Sequence, residues 1–276
     1  MTIMTETHFT TTLKGIDLHY EVYHHRANQQ KPTFVLIHGF LSSTFSYRRL
    51  IPLLAKEYRV VAVDLPPFGK SGKSNNFIYS NKNLASLIIG LLDLLGIKDI
   101  ILVGHSMGGQ IALNMIKQKP EYVRNVILLC SSGYLKKSKR SLVLSSYLPF
   151  FASYLKYYLA KQGVLHNLRN VVFDHTMIDE EMMLGYEQPF YNNQIFNALA
   201  KMIRHREGDL SSKDLQEIDT KSLLIWGTED KVVPLHIGER LHEDLRNSKL
   251  ITYEKTGHLL PEEKPFHIKE QILEFI

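Results

Sequence analysis

The chain lacks several things that would narrow its class at once. It has one cysteine, Cys130, so no disulfide can form within it. It has no run of ~18 or more apolar residues, the length a membrane-spanning helix needs. Its first dozen residues are polar and threonine-rich, without the basic and apolar regions of a secretory signal. A reducing cytoplasm and no integral membrane association are the resulting expectations. No sign of charge dominates: 33 Lys and Arg against 28 Asp and Glu give +5, which does not mark a nucleic-acid binder. There is no internal repeat, no glycine-serine linker, and no histidine or acid cluster at metal-ligand spacing. His24 and His25 fall in a strand pattern that turns their side chains to opposite faces, and His205 and His242 have no partners at ligand spacing. No metal and no cofactor are expected. What remains is ordinary globular material, 276 residues of which 44% are hydrophobic and 22% charged, enough to bury a sizeable core.

That material is patterned. Continuous apolar runs at 33–37, 59–64, 100–103, 126–130, 223–226 and 249–253 predict strands buried on both faces of a parallel sheet. Residues 16–23 alternate apolar and polar, which predicts a half-exposed edge strand. Helical periodicities lie between the runs: 84–95 ended by Gly96, 110–119 stopped by Pro120, then 235–246 and 266–275. Alternating strands and helices predict an α/β fold with right-handed crossovers and helices on both faces of the sheet. Residues 134–210 break the pattern, with no buried strand and many aromatic and Met residues. They read as several short helices packed over the rest. Cys130 ends an apolar run and reads as a small buried hydrophobe. Lys136, Lys137, Lys139 and Arg140 read first as a solvated loop face and second as a patch for anions or a membrane surface.

The segment Gly104-His105-Ser106-Met107-Gly108-Gly109 follows the run at 100–103 and opens a helix, the context a nucleophile elbow requires. The turn is too tight for side chains on either side of the serine, hence Gly104 and Gly108. The helix that follows points its N-terminus at developing negative charge. Acyl transfer also needs two donors for an oxyanion; the N–H of Met107 is one candidate and the N–H of Phe40, beside Gly39, is the other. His38 reads as a residue that shapes this loop. A serine hydroxyl needs a base. His258 is placed after the run at 249–253 and before the last helix, and it is the candidate general base and acid. Asp230, after the run at 223–226, is the candidate partner of its Nδ1–H, with Glu229 as the neighbouring alternative. The stretch from Asp64 to Gly72 reads as a structural turn, because it lacks phosphate-loop spacing.

Together these motifs resemble the α/β-hydrolase superfamily over roughly 15–276, in the serine-nucleophile branch with a helical cap that includes carboxylesterases and meta-cleavage-product C–C hydrolases. The order Ser106, Asp230, His258 matches that fold. Ser106 separates the chain from epoxide hydrolases and haloalkane dehalogenases, whose nucleophile is an aspartate. Pro67 stands where relatives commonly have glycine, which puts the geometry of that turn in doubt. The resemblance implies a core of 1–133 and 211–276 and a cap of 134–210.

Three functions follow. The first is hydrolysis of small to medium, largely apolar carboxylic esters through an acyl-enzyme. The second is C–C cleavage of a vinylogous diketone, or cofactor-free haloperoxidase-like activity, on the same triad; a cap arginine aimed at Ser106 would favour C–C cleavage, and Arg169, Arg204 and Arg206 are available. The third is a binding protein that has kept the fold. The expected partner is a small-molecule ester, with monomer and dimer both open.

Overall fold

A computed structural model describes residues 5–24 and 31–276 of the chain. Residues 1–4 of the polar N-terminal stretch, and His25 of the histidine pair, lie outside the described residues.

Among the described residues eight strands form one sheet, in the order β1-β2-β4-β3-β5-β6-β7-β8. They are β1 (Thr5–Leu13), β2 (Ile16–His24), β3 (Thr33–Ile37), β4 (Val60–Val63), β5 (Ile100–His105), β6 (Val123–Leu129), β7 (Lys221–Gly227) and β8 (Ser248–Tyr253). β1–β2 and β2–β4 are antiparallel, and every other pair is parallel. Every residue of β3, β4 and β5 is buried. Successive side chains on a strand point to opposite faces, so the sheet is covered on both sides there. That is why these strands appear as unbroken apolar runs.

Two expectations at the other edge change. Residues 16–23 do form a strand, but it is interior and mostly buried, because β1 pairs along its outer side. β1 itself was not anticipated. Its threonine-rich sequence carries little apolar signal, and its exposed residues take the edge.

The helices are α1 (Ile51–Leu54), α2 (Asn81–Leu94), α3 (Met107–Gln118), α4 (Arg140–Ser145), α5 (Phe151–Gln162), α6 (Val164–Val171), α7 (Glu180–Glu187), α8 (Gln194–His205), α9 (Ser212–Gln216), α10 (Leu235–Asp244), α11 (Leu260–Glu263) and α12 (Pro265–Phe275). α2 starts at Ser80, whose hydroxyl caps the N–H of Asn83 at 3.2 Å. It buries Leu84, Leu87, Ile88, Leu91 and Leu92 on one stripe. Residues 134–210 hold α4 to α8 and no strand, as expected, and α9 follows before β7.

Its aromatic residues divide in a way periodicity did not show. Met182 and Phe196 are buried, whereas Phe150, Tyr154, Tyr157 and Tyr158 face solvent. Among the described residues no helix is long and apolar enough to cross a membrane.

The sheet order decides what can meet. β3 lies beside β5 with Ile37 opposite Gly104, so the loops leaving both strands emerge together. β6, β7 and β8 follow in sequence order on the other side. The carboxyl ends of parallel strands, where the chain order reverses, form the crevice in which such sheets bind ligands.

Candidate active site

Ser106 lies between β5 and α3 with φ +53° and ψ −120°, a left-handed conformation that is strained for a serine. The surrounding glycines allow it. A Cβ on Gly108 would stand 2.1 Å from the Ile37 carbonyl oxygen, and one on Gly104 would stand 2.6 Å from the Gly108 carbonyl oxygen. Ser106 is nearly buried, and its carbonyl accepts from Gly109 and Ser132 N–H, both at 3.0 Å. The loop after β3 comes close: a Cβ on Gly39 would be 3.0 Å from Ser106 Cβ. Met107 opens α3, so its N–H has no partner within the helix. Phe40 follows Gly39, with its ring half exposed and edge-on to Phe68 at 5.5 Å.

His38 is fully buried, and its ring closes two backbone contacts. Nε2 accepts from Leu65 N–H at 2.8 Å and Nδ1 donates to the Gly39 carbonyl at 2.7 Å. It shapes the loop, as expected. The turn after β4 is structural too. Asp64 accepts from Thr44 N–H and Lys70 N–H, each at 2.8 Å, and the Pro66–Pro67 peptide is cis.

His258 and Asp230 meet although 28 positions apart. His258 Nδ1–H donates to Asp230 Oδ2 at 2.7 Å, and both residues are about 5% exposed. The other carboxylate oxygen accepts from Val232 and Val233 N–H, each at 2.8 Å. Burial opposes ionisation of Asp230, but the His258 bond and charge and the Val233 N–H outweigh it, so its carboxyl sits below the usual aspartate value. Glu229 is exposed, which leaves Asp230 as the partner. Trp226 steadies the loop: its indole N–H, fully buried, donates to the Val233 carbonyl at 2.9 Å.

Four groups near the pair were not legible in the sequence. His105, next to the serine, is buried; its Nε2–H donates to the His258 carbonyl at 2.8 Å, and its ring lies 4.8 Å from the His258 ring. Burial, then the His258 charge, depresses its pKa to about 3, so it stays neutral beside the base. Cys130 is buried with its sulfur in the same cluster as Asp230 and His258, and burial, then the Asp230 charge, raises its thiol. The carbonyl of Val171, last residue of α6, accepts from His258 N–H at 2.7 Å and Leu259 N–H at 3.1 Å. Glu263 joins the same two segments, accepting from Gly257 N–H at 2.9 Å and Phe173 N–H at 3.0 Å. Only His105 had a positional signal, its place beside Ser106.

Two groups of described residues bring three metal-capable atoms within 4.8 Å of one another. One is Cys130, Asp230 and His258, where Nδ1 and the carboxylate already bond each other. The other is His8, His19 and Glu21, assembled because the β1–β2 register sets His8 opposite Glu21. Spacing along the chain does not reveal such a grouping. Its carboxylate accepts from Thr44 and Tyr23 hydroxyls.

A strained serine turn and a buried His–Asp pair at the carboxyl edge of a mostly parallel sheet have counterparts among known proteins. The chain is 52% identical to the uncharacterized hydrolase YugF of Bacillus subtilis (strain 168) over 265 residues, 96% of each chain. It is 30% identical to a 2-hydroxy-6-oxo-6-phenylhexa-2,4-dienoate hydrolase of Burkholderia cepacia, over 77% of this chain and 74% of that one. A solved structure of the enzyme of that name from Rhodococcus sp. strain RHA1 superposes with a TM-score of 0.80 at 22% identity, covering 100% of this chain and 99% of the other, a likeness of fold. The model of the alpha/beta hydrolase fold matches residues 32–265. The chain belongs to the alpha/beta hydrolase fold family.

Proposed function

We propose that the chain is a serine hydrolase that cleaves carboxylic esters of small to medium, largely apolar substrates. The observation that carries this reading is the buried His258–Asp230 pair at 2.7 Å, with His258 packed against His105, the residue before a serine held at positive φ. Ser106 Oγ attacks the ester carbonyl carbon while His258 Nε2 takes its proton. Asp230, held ionised, stabilises the imidazolium. The N–H groups of Met107 and Phe40 receive the oxyanion. Collapse expels the alcohol, which takes the proton from His258, and water then releases the acid from the acyl-enzyme by the same steps. Residues 134–210 act as a cap over a core of 1–133 and 211–276, and their apolar composition suits an apolar acyl group. The buried single thiol fits a cytoplasmic setting.

A second reading, C–C hydrolysis of a vinylogous diketone, is favoured by the printed name of the 30%-identical relative. Such substrates carry carboxylates that need a cation. Arg204 is engaged with Ser146 and lies over the Tyr147 ring at 3.9 Å, while Arg169 and Arg206 are exposed, which supports the ester reading.

The test is turnover of p-nitrophenyl acetate and butyrate. Ser106→Ala is expected to lose ~10⁴-fold or more in kcat. Equal turnover by that variant removes Ser106 from the mechanism. A larger kcat/KM on a 2-hydroxy-6-oxo-dienoate than on either ester selects the second reading.

A further inference from the structure

No Asp or Glu occurs between Glu121 and Asp174, a stretch that holds eight Lys and Arg. Without those eight cations the chain carries 25 Lys and Arg against 28 Asp and Glu, so this stretch alone makes the molecule positive. Lys136, Lys137, Lys139 and Arg140 precede or open α4, Lys161 lies near the end of α5, and all five are exposed. None of them forms an ion pair among the described residues.

The same stretch exposes apolar surface. Helix α5 packs Ala152, Leu155 and Leu159 against the main core, yet its outer face carries Tyr154, Tyr157 and Tyr158, each more than half exposed. The Tyr154 and Tyr158 rings stack at 6.4 Å, so this is a continuous surface. A helix packed on one side in water ordinarily turns charged residues outward. Leu144 in α4 and Leu148 between α4 and α5 are 70% and 63% exposed. Phe150 is 83% exposed and held at φ +69°, a left-handed conformation that is strained for so bulky a residue. Among the described residues no ring or cation contact involves that phenyl ring. α4 and α5 both rest on α8, so they present these side chains from one support.

Leucine and aromatic rings on α4 and α5 flanked by cations that form no ion pair, in a stretch without carboxylates whose nearest acids are Glu207 and Asp209 beside Lys136 and Lys137, match the interface of an anionic bilayer. There the rings enter the headgroup boundary and the cations face lipid phosphates. We propose that the outer surface of α4 and α5 docks on the surface of a membrane containing anionic lipid. Docking there sets the insertion against the apolar phase, where largely apolar esters would collect. The docking itself is read without turnover, so it stands or falls apart from the ester reading.

The test is co-sedimentation of the full chain with phosphatidylcholine vesicles and with vesicles containing phosphatidylglycerol. Binding is expected only to the anionic vesicles and should weaken at least tenfold between roughly 0.1 M and 1 M salt. Each cation near the surface contributes roughly fivefold in partition, so Lys136→Glu with Lys137→Glu should lower it more than 25-fold. Phe150→Ser should lower it about tenfold while the thermal melting temperature, which reports folding, is retained. Equal binding to both vesicle types, or to neither, overturns the proposal. So does a dimer in light scattering that Phe150→Ser converts to monomer, which would assign the surface to a second copy of the chain.

Discussion

The helices between β6 and β7 meet the rest of the chain in two unlike ways. At their inner end, the Val171 carbonyl and the Glu263 carboxylate tie the end of α6 and Phe173, two residues past it, to Gly257, His258 and Leu259. Arg48 adds a second tie, placed between Glu262 of α11 at 2.7 Å and Glu181 of α7 at 3.6 Å. At the outer end, α4 and α5 show water a surface of Leu, Phe, Tyr and Lys. The acids are divided in the same sense: none before Asp174, and seven from there to Asp209. A segment fastened at one end and chemically unsatisfied at the other holds His258 in place with the first, and the second is the surface proposed to dock.

The contrast can be broken by mutation. The largest effect is expected at Gly257, where a Cβ would stand 2.7 Å from the Val171 oxygen and 2.9 Å from the Phe173 nitrogen. Gly257→Ala must shift either the insertion or His258. A displacement near 1 Å costs about 100-fold in kcat, and overpacking costs ~1–3 kcal/mol in stability. Phe150→Ser, at the outer end, should leave ester turnover within about twofold of wild type, since among the described residues no ring or cation contact involves that ring. Kinetics in which the two variants behave alike would remove the contrast.

A smaller effect is expected from Glu263→Gln. It replaces one of two accepting oxygens with an amine that faces an N–H, and should cost roughly 1.5 kcal/mol, about tenfold in kcat, with KM little changed. A rise in KM at constant kcat would show that Glu263 serves substrate binding rather than the placement of His258.

The smallest effect concerns pH. The folded carboxyl of Asp230 ionises below its unfolded value, near ~3.9. Its contribution to stability is therefore complete above the ordinary aspartate range and is lost as pH falls through the folded value. Melting curves of wild type and Asp230→Asn should converge as pH falls through that range. Curves that stay parallel to the acid limit would mean the His258 contact does not stabilise the fold.

Much of the fold and the strained turn at Ser106 were legible because they are written in residue types. β3, β4 and β5 are buried on both faces and so must be apolar throughout, and Gly104, Ser106 and Gly108 are dictated by the tightness of one turn. β1 was not legible, since an exposed edge strand can be built from threonines. The Val171 tie was not legible because it is a backbone carbonyl, which any residue supplies. Glu263 belongs to no motif and so carried no signal in the sequence. The tyrosines of α5 defeat periodicity for another reason: a stripe of rings has the same spacing whether it faces inward or outward.

Cys130 gives the molecule an internal clock. Its thiol is buried against Asp230 and His258 and held protonated by that burial. A protonated thiol is a poor nucleophile, so an electrophile in solution finds nothing to attack while the acid and base are together. Each time that region opens, the chain's single thiol becomes available. The rate at which it is consumed therefore counts how often the acid–base pair comes apart, with no added label.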